Sequence, residues 1–238
     1  MKIALIGAGK MGSAIQEISQ QRGHRIALTI DSSTQHLLTS ESLREADVAI
    51  EFTSPLSAFQ NVSRCLEAGI PTVCGSTGWT SSLETVAALC RQLNGSFIYA
   101  SNFSIGVNLF FEINKTLAKL MSKHSNYDVS LHEIHHTQKK DAPSGTAITL
   151  AEQVMEVLPH KTKWINEVSN VASDLVITSE RIDPAPGTHT ITYASAIDNI
   201  EITHTAHNRK GFASGALLAA EFAATHQGIF SMKDVLGI

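Results

Sequence analysis

Short apolar runs alternate with helical patterns along the first hundred residues. The run Lys2–Gly7 is almost entirely apolar and ends in glycine, which is typical of a strand buried on both faces of a parallel sheet. Met11–Arg22 follows it with a helical pattern. The alternation continues, with predicted strands at 25–30, 47–52, 71–74 and 96–100 and predicted helices from 55 to about 69 and at 80–93. Repeated β-α units of this kind predict a parallel, doubly wound sheet.

The pattern changes after Asn102. A long helix is predicted at 105–123, and the segment that follows alternates apolar and polar residues like a half-exposed strand. A further helix is predicted at 144–158 with Ser144 as its N-cap, followed by strands at 176–182, 190–196 and 200–207 and a last helix at 211–226. We therefore expect an α/β fold in which a first domain, 1–103 and 209–238, carries an inserted α+β domain, 104–208, with a mainly antiparallel sheet.

Composition and charge exclude several classes of protein. The chain has 238 residues, 43% of them hydrophobic and 17% charged, which is typical of a globular protein. A net charge of −4 gives no electrostatic footprint for nucleic acid, and no apolar stretch is long enough to span a membrane. We identify no targeting segment. Three cysteines without paired spacing predict reduced core thiols, so we expect a cytoplasmic protein with neither a nucleic-acid nor a membrane partner.

A glycine-rich loop follows the first predicted strand and opens the first predicted helix. In this context a GxGxxG pattern lets a pyrophosphate approach the backbone N–H groups at the helix N-terminus. Asp31 lies 19 residues past Gly12, at the end of the second strand, where a carboxylate accepts hydrogen bonds from a ribose diol. Together they predict a Rossmann-like dinucleotide site; the alternative is an ordinary βα turn and an acidic loop residue. The loop residues are Gly7, Ala8, Gly9, Lys10, Met11 and Gly12.

The cofactor expected at this site is NADH, with NADPH as the second possibility considered. Asp31 would repel a ribose 2′-phosphate, and Ser32–Thr34 supply no cation to attract one. Two more loops at strand ends lie on the edge where open α/β sheets bind ligands. Their candidate cofactor-binding residues are Gly75, Ser76 and Thr77 in one loop and Ala100, Ser101, Asn102 and Phe103 in the other.

The segment His132–His136 matches HExxH, the zinc-peptidase pattern. On a helix, residues four apart lie about 6 Å from each other, whereas on a strand His132 and His136 would be about 13 Å apart. The alternating residues before the motif and the proline soon after it favour a strand, so we expect no metal site.

A compact polar cluster follows the same strand. It contains His135 and His136, Lys139 in a short loop, and Ser144-Gly145-Thr146 at a helix start. N–H groups at the helix start can hold one carboxylate, and the lysine or a histidine can meet another, so the cluster suits a small dicarboxylate. The alternative is two surface histidines, a solvated lysine and a helix cap.

These residues read E-x-H-H-x-x-K-x-D-A-P-S-G-T from Glu133 to Thr146. The sequence resembles the 4-hydroxy-tetrahydrodipicolinate reductase family, also called dihydrodipicolinate reductases. The resemblance covers nearly the whole chain, with further matches in the glycine loop, Phe52-Thr53, GSTG at 75–78, NFSIGVN at 102–108, PGTH at 186–189 and the segment 204–217.

The resemblance implies a nicotinamide-dependent reduction in diaminopimelate and lysine biosynthesis, by a cytoplasmic homotetramer assembled through the sheets of its second domains. A ring dicarboxylate loses water to give a conjugated imine, which accepts a hydride at C4 and a proton at C3. His135 takes the position of a proton donor or acceptor and Lys139 that of a proton donor. His136, Gly145 and Thr146 match substrate-binding positions, and the glycine loop, Asp31 and the two further loops match cofactor contacts. Domain closure is expected, with hinges at 102–104 and 207–211.

Three other functions stay open from the sequence. One is an NAD-dependent reductase of a different unsaturated dicarboxylate. Another is a zinc peptidase acting through His132-Glu133-Ile134-His135-His136. The third is a regulatory protein that binds NAD without chemistry.

Overall fold

The structure, a computed structural model, describes residues 1–208 and 210–238. Its helices are α1 (Lys10–Gln21), α2 (Ser40–Leu43), α3 (Pro55–Glu67), α4 (Leu83–Gln92), α5 (Ile105–Met121), α6 (Gly145–Met155), α7 (Lys210–Ala223) and α8 (Met232–Leu236). Its strands are β1 (Lys2–Ile6), β2 (Arg25–Ile30), β3 (Val48–Glu51), β4 (Thr72–Cys74), β5 (Ser96–Tyr99), β6 (Asp128–His135), β7 (Lys163–Ile165), β8 (Asp174–Arg181), β9 (Gly187–Ala194), β10 (Asn199–Ala206) and β11 (Gly228–Phe230).

The chain divides into two compact units. The first consists of Met1–Ile105 and Arg209–Ile238, and the second of Gly106–Asn208. Arg209 itself, which begins the predicted second segment of the first domain and falls within one predicted hinge, lies outside the described residues.

The first unit contains a six-stranded sheet in the order β11-β5-β4-β3-β1-β2, and all of its pairings are parallel. Alternate residues of β1 enter two different cores: Ile3 and Leu5 pack with α1 and α7, whereas Ala4 and Ile6 pack on the opposite side. Burial on both faces explains why this strand is apolar without alternation. The loops that follow β1 to β5 therefore share one edge of the sheet.

The second unit contains a five-stranded mixed sheet in the order β10-β9-β6-β8-β7. The two longest ladders, β9–β10 and β6–β9, are antiparallel, while β6–β8 and β7–β8 are parallel. Apolar residues of β6, β8 and β9 share one core with α5 and α6. The predicted fold class, a Rossmann-like parallel sheet plus a mainly antiparallel second sheet, is confirmed.

The three cysteines are free and buried, as expected of core thiols. Burial, together with the charge of Glu51, raises the pKa of the Cys65 thiol to about 12. Within the described part of the chain, no helix has both the length and the apolar character needed to cross a membrane.

Candidate active site

The glycine loop connects β1 to α1, and close packing requires two of its three glycines. A Cβ on Gly7, whose φ is +109°, would lie 2.0 Å from the Phe52 carbonyl oxygen. A Cβ on Gly12 would lie 1.9 Å from the Gly7 carbonyl oxygen. By contrast, a Cβ on Gly9 would meet no atom within 4 Å. Gly9 therefore faces open space, as expected of a glycine that admits a ligand to the backbone.

The start of α1 suits an anion. Gly9 is its N-cap, so no side chain caps the first N–H groups, and the first turn carries no acidic residue. Uncapped N–H groups and the helix dipole attract negative charge. A dinucleotide pyrophosphate fits this loop, which presents Ala8, Lys10 and Met11 beside the glycines.

Asp31 follows β2 on the same edge. Its Oδ1 accepts hydrogen bonds from the backbone and hydroxyl groups of Ser33 and Thr34, at 2.6 to 3.1 Å. These bonds lower the pKa of Asp31 to about 2, so the carboxylate is charged. Because the hydrogen bonds given by the described residues all end on Oδ1, Oδ2 is available to a ribose hydroxyl.

The two further predicted loops also lie on this edge, and some of their side chains have partners within the protein. The Ser76 hydroxyl accepts a hydrogen bond from Thr53 N at 2.7 Å. Phe103 is buried in the core, with its ring centroid 5.6 Å from that of Phe52. Asn102 Oδ1 accepts from Ser104 N at 2.9 Å. Ser76 and Phe103 can therefore meet a cofactor mainly through their backbone, whereas Gly75, Thr77, Ala100 and Ser101 complete the two loops.

A buried acid beneath these loops was missed from the sequence. Glu51, at the end of β3, is fully buried and contacts the Thr53 hydroxyl. Its Oε2 lies 3.0 Å from the Cys74 thiol and its Oε1 3.4 Å from Asn61 Nδ2. Because its neighbours in β3 are apolar, Glu51 was included in a predicted core strand and was not considered as a site residue.

The second cluster of functional residues lies in the second unit, where β6 leads through a loop to α6. Alternation along β6 places Glu133 and His135 on the same buried face as Val129 and Leu131. Ser144, the N-cap of α6, donates its N–H to both oxygens of Glu133, at 3.1 and 3.2 Å. The loop is thereby tied back to its own strand, which brings His135 close to the start of α6.

Glu133 is the centre of a network that includes residues missed from the sequence. Its Oε1 also accepts from the Ser179 hydroxyl at 2.8 Å and from Arg181 Nη2 at 3.2 Å. Its Oε2 lies 3.4 Å from His135 Nδ1 and 3.6 Å from His189 Nε2. Parallel pairing sets Ser179 beside Glu133 and Arg181 beside His135, which the strand pattern alone does not reveal.

Burial and hydrogen bonds shift both titratable groups. Burial alone would raise the pKa of Glu133, but hydrogen bonds from His189, Ser144 and Ser179 outweigh it and hold that pKa well below the usual range. Burial lowers the pKa of His135 to about 4, although the Glu133 charge opposes this effect. At neutral pH the network therefore holds a carboxylate beside a neutral imidazole.

Lys139 lies in the same loop, where its Nζ donates to both oxygens of Asp141 at 2.9 and 2.8 Å. Arg181 Nη2 donates to the Asp141 carbonyl at 2.6 Å, which links this loop to the Glu133 network. Although partial burial opposes it, the Lys139 hydrogen bond lowers the pKa of Asp141. Lys139 and Arg181 thus bring two cations into the cluster, where each of them already has an acidic partner.

The other predicted substrate positions surround the same loop. His136 is half-buried. Beside it, hydrogen bonds from Thr137 lower the pKa of Asp183. Ser144 caps α6 through a bond from Ala147 N at 3.2 Å, as predicted. A Cβ on Gly145 would meet no atom within 4 Å, so the helix opens onto free space there, and Thr146 is the next residue of the helix.

The zinc-peptidase geometry is absent from this segment. The HExxH residues run along β6 and just past its end rather than along a helix, and His132 pairs with Glu180 at 3.0 Å. A different set, Glu133, His135 and His189, brings its ligand atoms within 4.8 Å of one another. Because Ser144, Ser179 and Arg181 already donate to Glu133, the hydrogen-bond network accounts for this grouping without a metal ion.

Comparison with known proteins agrees with the motifs. A family model described as the N-terminus of dihydrodipicolinate reductase matches residues 1–103, and one described as its C-terminus matches residues 106–236. A 4-hydroxy-tetrahydrodipicolinate reductase of Christiangramia forsetii is 47% identical over 237 residues, covering 99% of this chain and 98% of that protein. The chain belongs to the dihydrodipicolinate reductase family.

Further relatives of this family agree. A 4-hydroxy-tetrahydrodipicolinate reductase of Methanosarcina acetivorans is 34% identical, covering 99% of this chain and 89% of that protein. A dipicolinate-bound dihydrodipicolinate reductase from Paenisporosarcina sp. TG-14 has 25% identity and a TM-score of 0.77, with 97% of each chain covered.

Family membership confirms the resemblance and the function that it implies. The chain is an NAD(P)H-dependent oxidoreductase that reduces 4-hydroxy-tetrahydrodipicolinate in diaminopimelate and lysine biosynthesis. The activity needs a pyridine nucleotide and a dicarboxylate. The glycine loop of the first unit suits the nucleotide. The loop between β6 and α6 in the second unit, which carries Lys139, suits the dicarboxylate.

Proposed function

We propose that the first unit binds NADH and that the second binds the dicarboxylate and manages its proton. The observation that carries this proposal is the grouping of His135 and the start of α6 around one buried carboxylate, Glu133, with Lys139 near enough to His135 to affect its pKa. Neutral and cationic donors around a helix start suit an anionic ring better than an uncharged substrate.

The nucleotide is held by the carboxyl edge of the parallel sheet. The open position at Gly9 and the uncapped start of α1 receive the pyrophosphate, and Asp31 receives the adenosine ribose. The remaining cofactor contacts of the proposal come from Gly7–Gly12, Gly75–Thr77 and Ala100–Phe103. When bound, the nicotinamide supplies the hydride.

NADH is the preferred cofactor in this proposal. The charged Asp31 repels a 2′-phosphate, and the two residues that bind its Oδ1, Ser33 and Thr34, carry no positive charge. NADPH therefore binds through the same loop but without a partner for its extra phosphate at this position.

The dicarboxylate is held by the loop between β6 and α6. Gly145 and Thr146 meet one carboxylate at the helix start, and His136 and Lys139 face the ring and its second carboxylate. The dipicolinate bound to the Paenisporosarcina relative is a ring dicarboxylate of the same chemical class. When the substrate binds, one of its carboxylates replaces Asp141 as the partner of the Lys139 ammonium group.

His135 and Lys139 carry out the proton transfer in this proposal. Reduction adds negative charge to the ring, so cationic groups beside it stabilise the transition state more than the ground state. A positioned general acid contributes about 10²–10⁴-fold to the rate, or roughly 3 to 5 kcal/mol. Because the neutral imidazole of His135 is buried beside cations, the arrival of a dianion favours its protonation.

The proposal is tested by following NADH oxidation in the presence of 4-hydroxy-tetrahydrodipicolinate, in parallel with NADPH and with other unsaturated dicarboxylates. We expect turnover with the first substrate, a lower KM for NADH than for NADPH, and competitive inhibition by dipicolinate. Faster turnover of another dicarboxylate would overturn the substrate assignment, and a lower KM for NADPH would overturn the cofactor preference.

The proposal includes a cytoplasmic homotetramer. Free buried cysteines suit a reducing compartment. Among the residues that the structure describes, no strand pairs with the outer edge of β10, and the exposed Ile200 and Ile197 lie near this edge, of the kind that assembly covers. Sedimentation equilibrium should give a mass about four times 25.6 kDa.

A further inference from the structure

Glu133 is an ionised acid in the core of the second unit, and the function proposed above assigns it no part in the reaction. Its side chain is fully buried, two residues before His135 on the same face of β6. A buried charge is expensive unless donors surround it. The bonds from Ser144 N tie the loop to β6, but they do not explain why Oε2 lies beside two histidines.

The donors around Glu133 fix its ionisation and its direction. Ser144 N donates to both oxygens, at 3.1 and 3.2 Å, while the Ser179 hydroxyl and Arg181 Nη2 donate to Oε1 at 2.8 and 3.2 Å. Several donors, one of them a guanidinium, stabilise the charged form of the carboxyl group, and its pKa accordingly lies below the usual range although burial opposes this. Oε2 is then directed towards the two histidines.

The geometry around His135 selects one tautomer. Its Nδ1 is buried, makes no regular hydrogen bond, and lies 3.4 Å from Glu133 Oε2. A neutral imidazole carries one proton, and a nitrogen without it would set a lone pair against the carboxylate. The opposite edge of the ring lies against Gly187, where a Cβ would come within 3.1 Å of Nε2. The ring is therefore confined on both sides.

We propose that Glu133 is a positioning residue, whose carboxylate keeps a proton on His135 Nδ1 and thereby makes Nε2 the atom that exchanges a proton with the substrate. This inference rests on the proposed function, in which His135 is the proton donor. In the reductive direction Nε2 takes a proton from solvent when the dianion binds. The Nε2–H bond then breaks as a C–H bond forms on the reduced ring, and the neutral Nδ1–H tautomer remains.

The other charged groups that face His135 do not select the opposite tautomer. Arg181 on β8 and Lys139 in the loop are cations, which disfavour an added proton without choosing between the two nitrogens. His189 on β9 packs edge-on, with ring centroids 5.0 Å apart, and its Nε2 is bonded to the Ser144 hydroxyl at 3.1 Å. Asp141 is paired with Lys139. Glu133 alone presents an anion to Nδ1 among the described residues.

The first test measures the tautomer directly and needs no activity. We would record the ¹⁵N shifts of the imidazole nitrogens in the full-length, ligand-free chain at pH 7, with labelled histidine and assignment by His135→Gln. We expect a protonated Nδ1 and an unprotonated Nε2. A protonated Nε2 in the wild type would overturn the proposal, whether or not any variant folds.

The second test uses Glu133→Gln, which keeps the side chain's size but offers an N–H group in place of one oxygen. We expect the proton to move to Nε2, and kcat to fall at least tenfold, while the substrate KM and the NADH Kd change less than twofold. A merely structural role predicts a lower melting temperature with unchanged tautomer and kcat. That result would overturn the proposal.

The matched control is Glu180→Gln, because Glu180 Oε1 likewise lies close to a histidine, 3.0 Å from His132 Nε2, but on the exposed side of the same two strands. It should leave kcat unchanged. Normal turnover in His135→Ala would refute the catalytic part of the proposed function, and with it the use of Nε2, even where the tautomer follows Glu133. The two failures are thus distinguishable.

Discussion

The imidazole of His135 is the single group whose removal should slow the reaction most. A positioned general acid contributes about 10²–10⁴-fold, so His135→Ala should lower kcat by at least about tenfold in the NADH oxidation assay. The NADH Kd should be nearly unchanged, because the nucleotide-binding loops belong to the other unit. His132→Ala is the control, since that side chain is on the same strand but pairs with Glu180.

A single carboxylate sets the expected cofactor preference. Asp31→Asn keeps the size of the side chain and the oxygen that Ser33 and Thr34 contact, but removes the charge. The ratio of the NADPH Kd to the NADH Kd, measured by fluorescence titration, should fall by about tenfold, or roughly 1.4 kcal/mol. An unchanged ratio would show that Asp31 does not discriminate between the two cofactors.

At the scale of elements, the β1–α1 loop allows packing and binding to be separated. Gly12→Ala puts a Cβ 1.9 Å from the Gly7 carbonyl oxygen, and overpacking of this kind should lower the free energy of unfolding by about 3 kcal/mol. Gly9→Ala meets no atom within 4 Å, so its stability should be close to that of the wild type. It should nevertheless weaken NADH binding by at least about tenfold if the pyrophosphate approaches there. Equal NADH affinity in Gly9→Ala and wild type would contradict that placement.

The start of α6 gives a matching experiment for the substrate. Thr146→Val removes a hydroxyl but keeps the branched shape, and one net hydrogen bond contributes about 0.5–1.5 kcal/mol. The substrate KM should therefore rise about two- to tenfold with little change in kcat. Thr146→Ser, which keeps the hydroxyl, should retain most of the affinity. A fall in kcat alone would assign Thr146 to the chemistry rather than to binding.

Elements with a long or repeated pattern could be predicted from the sequence, and of the short ones only some could, such as β4 within the predicted strand 71–74. The strand and helix that flank the glycine loop, and the alternation that buries Glu133 and His135, were visible as local periodicity. The three-residue strands β7 and β11 were missed because they are too short to show a period. Two short helices, α2 and α8, were missed for the same reason.

At the scale of the whole molecule, pairing between distant segments limited the prediction of the site. The motif from Glu133 to Thr146 is contiguous, so its histidines and helix start could be identified together. Ser179 and Arg181 join it because β8 runs parallel to β6, and the prediction of a mainly antiparallel sheet did not say which strands would pair in parallel. Whether two strands pair in parallel or antiparallel depends on how the chain connects them, and the hydrophobic period of each strand does not encode that connection. The two residues of β8 that donate hydrogen bonds to Glu133 therefore could not be predicted from the sequence.

The free energy of unfolding of the chain should depend on pH because the His135 imidazole is buried. The pKa of His135 is lowered to about 4 in the folded chain, while an unfolded histidine titrates near about 6.5. Between these values the unfolded state binds a proton that the folded state does not, so stability falls as the pH falls. His135 should add up to about 1.4 kcal/mol per pH unit to the slope of the free energy of unfolding in that window.

Urea unfolding at fixed protein concentration, from pH 7 to pH 4, should therefore give a shallower slope of the free energy of unfolding against pH for His135→Gln than for the wild type. His204, whose pKa burial also lowers, stays in both proteins and acts as an internal reference. Identical slopes would mean that folding leaves the pKa of His135 unshifted, and the site would then not keep this imidazole neutral below about pH 6.5.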